Sequence, residues 1–86
     1  MKVFVVITES VWDVTNNELK VDVFKTKEDA LKKVAFIKED EVEAYRYIFD
    51  EEEIEVEDHN DGGFEIYQDG YWCENHTICK IFEREM

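Results

Sequence analysis

The 86-residue sequence predicts a single two-layer α+β domain, residues 1–86, in which one antiparallel sheet of about five strands carries one long helix on one face. Two patterns predict this fold. Apolar residues alternate with polar ones towards both ends of the chain, which is the period of a strand. Between them, residues 27–49 keep apolar side chains on one side of a helix. The predicted element order is therefore β-β-α-β-β-β.

The first two strands form a predicted hairpin. Lys2–Thr8 is apolar at nearly every position, as in a strand flanked by other strands in mid-sheet. Leu19–Val23 alternates apolar and polar residues, which is typical of a half-buried strand. Asn16-Asn17 lies between these segments, and asparagine tolerates positive φ, so the hairpin turn is predicted there.

The helix is predicted to begin at Lys27 and to run to about Phe49. Thr26 is a good N-cap residue, and Glu28 and Asp29 fall in the first turn, where the helix dipole favours acids. Polar residues at 38–41 interrupt the apolar side. A break into two shorter helices at that point remains an alternative.

A second set of helix residues lies on the side opposite the apolar one, at successive spacings of four, three and four residues. We term it the helix stripe: Phe36, Asp40, Glu43 and Tyr47. One interpretation is a solvated face with two exposed aromatic residues. The other is a partner-binding surface, because tyrosine and phenylalanine are enriched in interface cores.

A third strand is predicted over Glu51–Glu57, in which Ile54 and Val56 face one side. The other side carries what we term the glutamate series: Glu51, Glu53, Glu55 and Glu57. Alternate strand residues lie about 6.6–6.8 Å apart, so the series predicts a line of charge about 20 Å long. Duplex DNA carries one phosphate per about 3.4 Å of axis on each strand, so this line would imitate it in part. A solvated face, or an edge strand protected from aggregation by its charges, explains the same pattern.

The remaining strands are predicted from turn signals. Asp58–Gly63 is rich in turn residues and precedes a return strand at Phe64–Gln68. The last strand is predicted at about His76–Glu83. Residues 71–73, a Tyr-Trp-Cys segment, are expected to cover one end of the core.

Negative charge is concentrated in one region. Residues 39–65 contain thirteen acids and one base, a net charge of −12, within a chain whose net charge is −13. Such a protein repels nucleic acid and anionic membranes, so neither is expected as a direct partner. The expected partner is a basic protein. An apolar N-terminus without a cleavage signal and a low cysteine content favour a cytoplasmic location.

No catalytic or metal site is predicted. Cys73, His76 and Cys79, with His59 as a fourth ligand, are candidate zinc ligands, but His76 and Cys79 fall on opposite faces of a strand. Buried, inert thiols are the simpler interpretation. Residues 58–63 begin like a calcium loop but lack a later ligand, and a hairpin turn explains them. No nucleophile constellation or phosphate loop accompanies these residues, so no enzyme and no cofactor are predicted.

The chain resembles a class of small acidic phage and mobile-element proteins. The resemblance covers composition over the whole chain and the segments Phe24–Ala30, opening the helix, and Phe64–Gly70. It is similar to anti-CRISPR and anti-restriction proteins, which occupy the nucleic-acid channel of a host defence enzyme. This resemblance implies a non-enzymatic inhibitor. The charge pattern of the residues themselves predicts that it binds through the glutamate series, with Asp40 and Glu43 nearby. The alternatives are an interaction or immunity-type module binding through Phe36 and Tyr47, and a metal-binding domain.

Overall fold

A computed structural model describes residues 1–12, 16–68 and 75–86 of the protein. These residues form five strands, one α-helix and one short 3₁₀ turn at residues 51–53. The strands and the helix are β1 (Lys2–Trp12), β2 (Asn16–Phe24), α1 (Lys27–Ile48), β3 (Ile54–Asp58), β4 (Phe64–Gln68) and β5 (His76–Glu85). The predicted α+β fold, with one antiparallel sheet and one long helix, is confirmed.

The strands lie in the order β2-β1-β5-β4-β3, so β2 and β3 form the two edges. β1 pairs with both β2 and β5, which confirms its predicted place in mid-sheet. A tight hairpin joins β3 to β4. Gly62 has φ +98° in its turn, a conformation that glycine adopts without strain. At Gly63, a Cβ atom would lie 2.3 Å from the Cys79 carbonyl oxygen, so the close approach of this turn to β5 also requires glycine.

Helix α1 is continuous over residues 27–48, which excludes the alternative of two helices. The Thr26 side chain accepts a hydrogen bond from the Asp29 backbone N–H at 3.1 Å, as expected of an N-cap. The helix covers one face of the sheet, which we term the inner face. The core between the two layers contains Ala30, Val34 and Tyr45 from the helix and Val6, Phe64, Ile66 and Cys79 from the sheet.

Three predicted boundaries are wrong. β1 extends to Trp12, beyond the predicted end at Thr8. Asn16 and Asn17 do not form a turn, because they pair with Trp12 and Val11 at the start of β2. Glu51–Glu53 is a 3₁₀ turn, and β3 begins only at Ile54. β3 does not begin at residue 51 because Glu52 would then place its charge on the inner face of the sheet. The predicted cover of the core by residues 71–73 lies outside the described residues.

Candidate partner-binding site

The helix stripe lies along an exposed side of α1. Phe36 and Tyr47 are 64% and 92% exposed, and Asp40 and Glu43 between them are also exposed. Two shallow depressions, of about 160 and 370 Å³, follow this side of the helix. Asp40 and Glu43 line both, while Phe36 lines the first and Tyr47 the second. The four residues therefore form one continuous surface with an aromatic side chain at each end.

A deeper cavity of about 410 Å³, the α1–β2 groove, lies between α1 and strands β1 and β2. Asp40 lines the groove as well as both depressions, so the groove opens onto the helix stripe. The charged side chains that line it carry a net negative charge: Glu18, Asp22, Asp40, Glu41, Lys20 and Lys33. A cationic side chain of a partner is the group that this groove is best suited to receive.

Glu41 is a partly buried acid of the groove. Burial raises its pKa, and the charge of Asp40 raises the pKa further, whereas Lys20 and a hydrogen bond with Thr77 lower it. The sequence pattern marks Glu41 only as an interruption of the apolar side of α1. The position of Glu41, an acid on the core-facing side of a helix, was the feature of the sequence from which the groove could have been predicted.

A chain of hydroxyl groups connects the helix to the sheet beside this groove. Tyr45 OH lies 3.2 Å from Thr77 Oγ1, which donates to Ser10 Oγ at 3.3 Å. Tyr45 and Thr77 are fully buried, and the Tyr45 ring packs against Trp12 with centroids 4.7 Å apart. Ser10 lines the groove itself. These contacts fix α1 over the sheet and so position both the groove and the helix stripe.

The glutamate series does not form the predicted 20 Å line of charge. Glu51 and Glu53 belong to the 3₁₀ turn and only the other two residues belong to β3. Arg46 lies 3.5 Å from the Glu51 carboxylate, and both side chains are exposed. Gln68 Nε2 donates to Glu53 at 3.3 Å. The first half of the series therefore has partners within the fold.

Glu55 and Glu57 lie on the outer face of the sheet, because their neighbours in β3 face α1. A hydrogen bond with Glu55, together with its charge, raises the pKa of Tyr67 to about 12. Neighbouring strands are about 4.8 Å apart, so the two edge strands, β3 and β2, are separated by about 19 Å across the sheet. Asp40 lies near β2, at the edge opposite β3. The structure therefore divides the predicted acidic surface into two separate regions.

The candidate metal ligands do not converge among the residues that the structure describes, where no group of three or more His, Cys, Asp or Glu side chains could hold a metal ion. His76 and Cys79 lie on opposite faces of β5, and Cys73 lies outside the described residues. Burial raises the pKa of the Cys79 thiol, which disfavours the thiolate that binds metals. In the calcium-like segment, Lys38 forms an ion pair with Asp58. The turn interpretation explains that segment.

Comparisons with protein-family models, curated proteins and solved structures find no match for this chain. Within residues 1–12, 16–68 and 75–86, no helix is long and apolar enough to cross a membrane. The helix stripe and the α1–β2 groove are the surface features that bear on function.

Proposed function

We propose that this protein is a non-enzymatic inhibitor whose acidic, aromatic helix surface occupies the basic nucleic-acid-binding site of another protein. The proposed target is a cytoplasmic host defence nuclease of the CRISPR or restriction type. The helix stripe, with the adjoining α1–β2 groove, is the proposed contact surface. The proposal differs from the sequence-based hypothesis in placing the helix, and not the glutamate series, at the centre.

One observation carries this proposal: the helix stripe exposes both aromatic residues and acids that no internal cation neutralises. Among the described residues, Asp40 and Glu43 take part in none of the ion pairs, whereas Lys32, Lys38 and Arg46 of the same helix pair with other acids. Three acids, Glu39 included, line the first depression beside Phe36. These two acids are therefore available to a cation of a binding partner, beside Lys33, which lies over the Phe36 ring.

The charge distribution is unfavourable for the isolated protein. Residues 50–53 are all acidic and directly follow the C-terminus of α1, where the helix dipole favours cations. Arg46 is the basic residue of the last turn. Acids three and four residues apart on a helix, such as Asp40 and Glu43, destabilise it by about 0.2–0.5 kcal/mol per pair. A basic binding partner would offset this cost, which supports a functional role for the charge.

The aromatic residues suit the same kind of partner. Nucleic-acid-binding sites are rich in arginine, whose planar guanidinium group stacks on aromatic rings as well as pairing with carboxylates. Tyr47 supplies such a ring, and Asp40 and Glu43 supply carboxylates beside it. The Phe36 ring already has Lys33 Nζ at 5.5 Å from its centroid. The helix stripe thus offers both kinds of contact that an arginine-lined channel uses.

A second candidate function is an interaction or immunity-type module that binds through the aromatic residues alone. The 92% exposure of Tyr47 favours it. The two candidates differ in salt dependence, because charge steering weakens with added salt whereas apolar contacts do not.

The proposal can be tested by competition. A guide-loaded RNA-guided nuclease and a restriction endonuclease serve as probes, each bound to its labelled duplex target. The protein should displace the duplex from at least one of them, and the variant Asp40→Asn/Glu43→Gln should do so at least tenfold less well. The control variant, Glu83→Gln/Glu85→Gln, loses the same charge at the far end of β5 and should compete like the wild type. If the wild type displaces duplex from neither probe, the proposal is wrong for these two classes. Equal potency of both variants would refute the assigned surface.

A further inference from the structure

The outer face of the sheet, on the side opposite α1, is strongly apolar over β2, β1 and β5. In the register of these strands, odd-numbered residues of β1 and β2 and even-numbered residues of β5 share this face. Leu19, Val21 and Val23 are 65%, 56% and 58% exposed there. Beside them lie Ile7, Ile78 and Phe82, all partly exposed. We term these six residues the outer apolar patch.

The molecule as a whole has more surface than its mass requires. Its accessible surface is 6123 Å², whereas a folded monomer of 10.3 kDa is expected to have about 5,400 Å². The radius of gyration, 13.6 Å, likewise exceeds the roughly 12 Å expected for a chain of this length. The surplus of roughly 700–800 Å² matches the roughly 800 Å² that each partner buries in a standard stable interface.

The charge on this face differs from that of the rest of the molecule. Within the three strands the outer face carries Glu9, Lys80 and Arg84, one acid against two bases, although the chain as a whole has a net charge of −13. Glu65 of β4 borders the patch next to Ile78, whereas the acids of β3 lie one strand farther, towards the other edge of the sheet. Two copies that pack through β2 and β1 therefore keep the acids of β3 apart.

We propose that the outer apolar patch is the interface of a homodimer, in which two sheets pack face to face. The occupant is a second copy because the patch is self-complementary. It combines exposed apolar side chains with charges of both signs, including Glu9 between Leu19 and Ile78. The surplus surface of the molecule is of the size that a stable dimer buries, and a two-fold interface presents the same surface on both subunits. This arrangement buries β2, β1 and β5 and leaves both helix stripes exposed on opposite sides of the dimer. It does not depend on the proposed function.

The test is the molar mass in solution, measured by light scattering during size-exclusion chromatography over a range of concentrations. The wild type should have twice the 10.3 kDa chain mass. Val23→Lys should weaken the dimer by about a hundredfold or more, because it places an unpaired charge in an apolar interface. That substitution also lowers the net negative charge, so the loss of the dimer cannot be attributed to greater repulsion between the copies. Added salt should tighten the wild-type dimer by screening that repulsion.

A second substitution separates face packing from pairing through edge strand β2. Ile78 lies on β5, inside the sheet, where only face packing covers it, so Ile78→Lys should also give a monomer. The register places Glu9 and Glu65 on either side of residue 78, so the lysine can be accommodated in the monomer. Tyr47→Lys is the matched control on α1 and should remain dimeric. Circular dichroism confirms that each variant is folded.

Three results would overturn the proposal. The first is a wild type that stays monomeric at all concentrations. The second is a wild-type monomer that binds neutral phosphatidylcholine vesicles, which would assign the patch to a lipid surface. The third is an Ile78→Lys protein that is as dimeric as the wild type, which would assign association to the edge of β2.

Discussion

The buried hydroxyl chain gives a quantitative test of how α1 is held on the sheet. In Thr77→Val the middle member of the chain is replaced by a side chain of similar shape that cannot form hydrogen bonds. Tyr45 OH, in a residue with no exposed surface, then loses its partner at 3.2 Å. Ser10, which is buried at the wall of the α1–β2 groove, and Glu41 also lose the hydrogen bonds that they make with Thr77. The stranded Tyr45 hydroxyl therefore sets the lower limit of the cost.

A buried polar group left without a partner costs about 1–3 kcal/mol. In a domain of 60–100 residues, each kcal/mol lowers Tm by about 4–8 °C, so Thr77→Val should melt roughly 5–20 °C below the wild type. Tyr45→Phe removes the hydroxyl itself and should cost only about 0.5–1.5 kcal/mol. The double variant has no stranded tyrosine hydroxyl, so it should be more stable than Thr77→Val alone.

The assay is thermal unfolding of the four proteins by circular dichroism, analysed as a double-mutant cycle. The decisive feature is the sign of the coupling, because adding Tyr45→Phe should restore stability to the Thr77→Val protein. Simple additivity of the two losses, or a Thr77→Val protein that melts with the wild type, would refute the proposed role of these hydrogen bonds.

Three further predictions follow from the site. Because burial raises the pKa of Glu41, the folded state loses stability as the pH rises from the ordinary value of 4.5 to the raised pKa, and the loss is complete above it. Glu41→Gln should therefore raise Tm at neutral pH, and the gain should shrink below the raised pKa and disappear below 4.5, whereas a constant gain would contradict this. Glu55→Gln should lower the pKa of Tyr67 from about 12 towards its ordinary value in a spectrophotometric titration, and an unchanged titration would show that Glu55 is not the cause. A chelator should leave Tm unchanged, because His76 and Cys79 lie on opposite faces of β5, and a large drop would restore the zinc hypothesis.

Local patterns were sufficient to predict the fold. The N-cap at Thr26, the apolar side of α1 and the alternation of Phe64–Gln68 are each determined within a few residues, and the structure confirms all three. The prediction that His76 and Cys79 fall on opposite faces of the last strand is also correct. Such features follow from backbone periodicity alone.

Features that depend on long-range pairing could not be predicted in this way. β1 extends to Trp12 because β2 and β5 supply hydrogen-bonding partners for its second half. The lengths of β2 and β5 cannot be predicted from the sequence of β1. The outer apolar patch arises because Leu19 and Ile78, 59 positions apart in the sequence, both flank Glu9 in the sheet. The α1–β2 groove likewise could not be predicted without knowing which edge of the sheet Asp40 approaches.

The glutamate series shows how a charge pattern can mislead. Its alternation predicted one charged strand face, but Glu52 falls where a strand needs an apolar residue, and the chain forms a 3₁₀ turn instead. The helix stripe was predicted as a surface and forms one, although its function as a partner-binding site remains a prediction. Separation of the two regions by the width of the sheet was visible only in the folded structure.

The central claim, that the helix stripe exists for a basic partner, is tested most directly by measuring stability and association rate on the same variant. Asp40→Asn/Glu43→Gln removes like charges that repel each other on one helix, so it should melt at the same temperature as the wild type or slightly higher. Its association with a nuclease that the wild type inhibits should be slower and less dependent on salt, because those charges steer the encounter. A variant that associates as fast as the wild type at every salt concentration would contradict the account and leave the acids of the helix stripe as a solvated surface.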